Sequence, residues 1–150
     1  MPELKDRLRA DLTTAMKSRD ELRTATLRMV LSAVTAEEVS GKEARELSDD
    51  EVQAVLRREA KKRREAADAF AGAGRADQAE REKAEEGVLA TYLPAQLDDA
   101  DLSALVADVI TTTGAAGMKD MGKAMGAVQG RVAGRADGGR VAAEVRRQLG

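Results

Sequence analysis

The sequence predicts an all-α protein: an N-terminal bundle of about four helices over residues 1–94, then a small three-helix domain over residues 95–150. Three observations carry that prediction. The composition is rich in Ala, Leu, Glu, Lys and Arg, with Phe70 and Tyr92 the only aromatic residues, which is a helical composition. Apolar residues recur at steps of three and four, as one-sided helices require. Ser48 and Asp98 each open a segment with the side chains that start a helix.

Leu4, Leu8 and Leu12, with Ala15 and Met16, mark a first helix from about Pro2 to Arg19, and Pro2 suits its first turn. Asp20 is placed to cap a second helix. Its apolar positions, among them Leu22, Leu27, Met29, Val30, Leu31 and Val34, spread over more than one stripe. So wide an apolar arc predicts the buried centre of the bundle. Gly41 stands where that helix should stop. Leu47-Ser48-Asp49-Asp50-Glu51-Val52 reads as a capping box, with Leu47 and Val52 spaced as its hydrophobic staple. The third helix then runs to about Ala71. It carries Arg57, Arg58, Lys61, Lys62, Arg63 and Arg64, the densest basic run in the chain. Interleaved Glu59 and Glu65 favour a solvated, internally paired face, with anion binding as the alternative.

Gly72-Ala73-Gly74 is a break, and a fourth helix from about Ala76 to Thr91 has Ala79, Ala84, Val88 and Leu89 as its apolar side. Tyr92-Leu93-Pro94 ends it and marks the domain boundary, since the residue before proline avoids helical geometry. The tail opens with Asp98 as cap and Leu97 and Leu102 as staple. A fifth helix carrying Leu102, Leu105, Val106, Val109 and Ile110 stops near Thr113-Gly114, and Gly117 or Met118 begins a sixth. Gly134 to Gly139 is a turn with Asp137 as cap, before a last helix holding Val141, Val145 and Leu149. Three short helices in about 55 residues are marginal alone, which predicts that the tail leans on the bundle.

Two patterns coincide between Met118 and Gly139. Met118, Met121, Met125, Val128 and Val132 form an apolar stripe, while Gly122, Gly126, Gly130 and Gly134 recur at a strict step of four. At roughly 100° per residue, Gly126, Gly130 and Gly134 turn away from the stripe. Lys119 and Lys123 project on that far side, with Arg131 at its edge. A glycine inside a helix costs about 1 kcal/mol relative to alanine. One return is access, because a face without Cβ atoms lets a bulky ligand reach the backbone; with lysine and arginine beside it, a polyanion is the natural ligand. Two other readings stand: glycines placed by composition alone, or Gly122 packing against a neighbouring helix. The charges in the run exclude a membrane GxxxG helix.

The formal charge is only −2, yet residues 118–150 carry 7 basic against 3 acidic residues, a net of +4. Without cysteine or histidine there is no disulfide, thiolate or imidazole chemistry. No strand precedes the glycines, so neither a dinucleotide fingerprint nor a P-loop applies. Serines are few and carboxylates sit in helix starts and charge ladders, so no catalytic residue, metal site or cofactor is expected. Lys119 and Asp120 as base and acid are the least favoured reading. With no long apolar run and no leader, the chain reads as cytoplasmic, without a membrane partner, and monomeric. A DNA-reading helix-turn-helix is disfavoured because base-edge readers are sparse; backbone and shape recognition suit the composition better.

The segments from Leu8 to Asp20, Arg57 to Glu85 and Tyr92 to Leu97, and above all TGAAGMKDMGKAMGAV and GRADGGRVAAEV, resemble the GatB/YqeY family over nearly the whole chain. The similarity is to free-standing YqeY-type members, with an N-terminal helical bundle and a three-helix tail. The related module forms the C-terminal tail of the amidotransferase B subunit, where the resemblance implies that it contacts the tRNA body while a separate cradle does the chemistry. The resemblance therefore implies a non-catalytic accessory protein linked to glutamine-dependent tRNA amidation, binding tRNA or other structured RNA, with an amidotransferase or aminoacyl-tRNA enzyme as a further partner. The residues it implies are Lys119, Lys123, Arg131, Arg135 and Arg140, around Gly122, Gly126 and Gly134. The family often has a capping serine at the place of Gly117 and a bulkier residue at that of Gly130. The rival expectation is a protein–protein adaptor whose glycine face docks a partner helix.

Overall fold

The computed structural model describes residues 3–150, so the expected role of Pro2 lies outside the described residues. Helices α1 (Glu3–Lys17), α2 (Glu21–Glu38), α3 (Asp49–Gly72) and α4 (Ala76–Ala90) form one compact unit that ends at Leu93. Helix α5 (Asp99–Thr113), a 3-10 turn at Met118–Asp120, α6 (Met121–Val132) and α7 (Gly138–Leu149) form a second, Pro94–Gly150. With seven α-helices and no strand among the described residues, the fold is all-α. Among those residues no helix is long and apolar enough to cross a membrane.

The helix starts of the first unit are set locally. The Arg23 amide donates to the Asp20 carboxylate at 3.1 Å. The Glu51 amide donates to Ser48 Oγ at 3.3 Å and the Ser48 amide to Glu51 Oε1 at 3.2 Å, a complete capping box flanked by buried Leu47 and Val52. Bonds from Arg45 and then from Ser48 hold the Glu51 carboxyl down to about 2. The end of α1 falls short of Arg19. The Asp20 amide donates to Ala15 O at 2.9 Å and the Arg19 amide to Met16 O at 3.2 Å, a Schellman closure that puts Arg19 at φ +59°.

The core joins Leu8 of α1, Leu27, Val30 and Val34 of α2, Val52 and Leu56 of α3 and Leu89 of α4. Helix α2 touches each of the other three helices, but it is not enclosed as its wide apolar arc predicted. Thr26, Leu27, Val30 and Val34 are buried, whereas Arg28, Met29, Ser32 and Ala36 are exposed. Four helices that share one core leave each with an outer side. On α4 the buried side holds Glu85 while Ala84 is exposed, because Ala84 lies about 100° further round the helix. Burial pushes the Glu85 carboxyl up, against the attraction of Arg63 and Arg81.

Charges also enter the interior. Lys5 Nζ donates to Glu38 at 2.8 Å, and the same carboxylate accepts the Leu47 amide at 3.2 Å. Within the basic run of α3, Arg63 is buried; its Nη1 donates to Glu59 O at 3.0 Å and to Glu59 Oε2 at 3.1 Å, and its Nη2 to Met29 Sδ at 3.5 Å. Arg58 pairs with Glu37, Lys62 with Glu59 and Arg64 with Glu86. The interleaved acids pair Lys61 with Glu65 and Lys62 with Glu59, whereas Arg58 and Arg64 find theirs on α2 and α4 and Arg63 leaves the solvated face. Tyr92 closes the unit: it is buried, donates to Asp11 and lies 4.6 Å beneath the Arg7 guanidinium. Burial, then the Asp11 bond, push its phenol up to about 12.

In the second unit the Asp101 amide donates to Asp98 Oδ1 at 2.7 Å, and Gly114 ends α5 at φ +72°. Leu102, Val106 and Val109 meet Ala124, Val128 and Val132 of α6 and Val141 and Val145 of α7. Met118 is exposed rather than part of the stripe, and Ala124 takes a core place instead. The cause is the 3-10 turn, whose three residues per turn carry Met118 out of register with α6. Asp137 occupies the N-cap position of α7 with extended backbone.

Candidate nucleic-acid interface

Helix α6 is anchored by buried Ala124, Val128 and Val132. Its other side is open: Gly122, Gly126 and Gly130 are exposed, and a methyl group placed on any of them would meet nothing within 4 Å. Gly122 therefore does not serve close helix packing. Lys119, in the 3-10 turn, and Lys123, in the first turn of α6, are exposed, and among the described residues no ion pair holds either side chain. Asp120, between them, uses its carboxylate locally, accepting the Ala116 amide at 2.8 Å. It anchors the loop that precedes the helix, while Lys119 stands in solvent.

The arginines are engaged otherwise. Arg131 pairs with Asp108 of α5 at the edge of the glycine face. Arg135 donates from Nε to Val132 O at 3.0 Å and from Nη2 to Arg131 O at 2.9 Å, covering carbonyls at the end of α6, where Val132 O also accepts the Arg135 amide at 3.0 Å. Arg140 donates to Leu97 O at 3.0 Å and to Asp99 at 2.9 Å, tying α7 to the start of α5. Gly134 is not on the glycine face. The helix ends at Val132, and Ala133 at φ +49° and Gly134 at φ +78° turn the chain in the left-handed region. The Leu97 amide then donates to Arg135 O at 2.8 Å. Gly134, Arg135 and Arg140 belong to this structural corner.

Of the residues singled out by sequence, Lys119, Gly122, Lys123 and Gly126 share one open surface, which Gly130 extends and Arg131 borders. The net positive charge of residues 118–150 is distributed unevenly. Arg131, Arg140 and Arg147 each have an acid partner, in Asp108, Asp99 and Glu144, whereas Lys119, Lys123, Arg135 and Arg146 have no ion pair among the described residues. Arg146, exposed near the end of α7, was not among the sequence candidates; only its +4 charge neighbourhood pointed to it. Such a surface can hold a row of phosphates against a helix backbone, and it offers no enclosed place for acid–base chemistry.

Comparison with known proteins matches residues 5–149 to the family described as Yqey-like protein, a span that takes in nearly every element above. No curated protein matches the chain.

Proposed function

The chain belongs to the Yqey-like protein family, and we propose that this member is a non-catalytic accessory protein that binds structured RNA, tRNA first, through the open side of α6. One observation carries the reading: three consecutive turns of α6 present glycine to solvent, beside two lysines that have no partner among the described residues. An RNA duplex presents a ridge of phosphates and 2′-hydroxyls, read by shape more than by sequence. A helix stripped to its backbone accepts such a ridge, and Lys119 and Lys123 supply the counter-charge. The resemblance of this tail to that of the amidotransferase B subunit supports a place near glutamine-dependent tRNA amidation, in the cytoplasm.

The test is filter binding of the purified chain to total tRNA, with duplex DNA as competitor, across a salt titration. Binding that prefers tRNA and falls steeply with salt supports the proposal. A partner helix docked on the same glycines would bind with little salt dependence, and finding that instead, without tRNA retention, would replace this reading with the adaptor.

A further inference from the structure

The wide apolar arc of α2 has a part that the core does not use. Its outer side, with Ala25, Met29, Ser32 and Ala36, is only lightly charged in a chain that is 35% charged residues. Next to it, Met16 from the end of α1 is 49% exposed, as is Met29. Met16, Arg19, Thr24, Ala25 and Arg28, with Glu21, line an open groove of about 380 Å³ between the two helices.

The charges around this groove are one-sided. Both oxygens of Glu21 are taken by Arg81, at 2.8 and 2.9 Å, and the Asp20 carboxylate caps α2. Among the described residues Arg19 has no side-chain partner, and Arg28 reaches only Met16 Sδ, at 3.8 Å. Arg19 also occupies a backbone position that disfavours it. At φ +59° an L side chain is strained; the same chain uses Gly74 and Gly114 at the comparable ends of α3 and α5, and only Ala133, at the end of α6, shares the position with Arg19 among the described non-glycine residues. An arginine held there against the conformational preference presents a guanidinium at the groove that a glycine could not.

We propose that this groove docks an acidic amphipathic helix of a partner protein, its apolar side chains against Met16 and Ala25 in the groove and against the exposed part of Met29 beside it, and its carboxylates on Arg19 and Arg28. Flexible methionines adapt to a helix face laid across them, and unpaired arginines select carboxylates on its flanks. A phosphate backbone would gain nothing from the apolar floor, which is why a protein helix fits better than RNA. The site is independent of the one on α6, so the RNA reading can fail without it.

The experiment is selection from a displayed library of helical peptides on the full-length chain. Binding is then measured by fluorescence anisotropy and by the methyl signals of the methionines. Enriched peptides are expected to carry Asp and Glu beside a Leu or Phe stripe and to shift the Met16 and Met29 signals while leaving Met121 and Met125 in place. Arg28→Glu should weaken them at least tenfold. Arg19→Gly should weaken them several-fold with the Tm unchanged or raised, and Lys119→Ala with Lys123→Ala should not affect them. Basic or charge-neutral winners, no winners, or binding indifferent to Arg19→Gly and Arg28→Glu would overturn the proposal. So would tRNA that displaces the peptides and moves the Met16 and Met29 signals itself.

Discussion

Replacing Gly122, Gly126 and Gly130 together by alanine separates folding from function. All three have ordinary helical backbone and open space where the methyl group would go. Gly126, in the middle of α6, should return about 1 kcal/mol on replacement. Gly122, in the first turn, and Gly130, in the last, should return about half as much each, since end positions feel propensity less. The sum, about 2 kcal/mol, corresponds to a rise of roughly 8–16 °C in the melting of a unit this small. Three methyl groups also build a ridge where RNA would contact the backbone, and a tenfold loss of tRNA affinity, about 1.4 kcal/mol, is the expected cost. Thermal melting by circular dichroism and tRNA filter binding on the same sample read both effects. A variant that is more stable and binds tRNA as tightly as before would refute the access argument. One that is less stable would refute the reading of the face as open.

Lys119→Ala with Lys123→Ala should lower the slope of log K against log salt by roughly 1.4–1.8, two phosphate contacts' worth; Arg131→Ala, already paired with Asp108, should change it less. The Glu144 carboxyl is held down to about 2 by Arg147, then Gln148. Its stabilisation is therefore present above the ordinary value of 4.5 and lost as pH falls from there towards 2. Glu144→Gln should lower the Tm at pH 7, by a margin that shrinks across that window in a pH series of melts. Arg63→Met removes the buried partner of Glu59 but leaves Lys62 at 3.6 Å, so it should cost less in urea unfolding than the ~3–5 kcal/mol of a fully stranded buried charge; the double change with Glu59→Gln should cost less still. Ala133→Gly relieves a left-handed alanine at φ +49° and should stabilise by about 0.5–1 kcal/mol on the same assay.

What the sequence made legible was local. The caps at Asp20, Ser48 and Asp98 each bond three residues ahead, so the pattern contains both partners. Gly114 likewise announces the end of α5. The glycine and lysine face of α6 was visible for the same reason, since one helical period lays it out. The partners of the arginines were not, because Arg131 and Asp108 are 23 residues apart and Arg140 and Asp99 are 41 apart. The bonds of Arg135 to helix carbonyls were not legible either, because such a contact leaves no mark in residue spacing. Met118 was misassigned because a 3-10 turn and an α-helix share the same residue preferences but not the same period. Burial of Arg63 was hidden by exposed Lys62 and Arg64 on either side, and that of Glu85 by the charged run from Glu80 to Glu86 in which it lies.

Glu38 gathers three segments of the chain onto one residue. Its carboxylate holds Lys5 of α1 and the Leu47 amide, and its carbonyl accepts the Arg45 amide at 2.9 Å. All of these partners have been made by the time Leu47 leaves the ribosome. A nascent chain can therefore fasten its first hairpin and set the following loop before the segment that begins at Ser48 has to coil. Contacts of short reach, closed in the order of synthesis, are the kind that fold quickly and leave little apolar surface waiting.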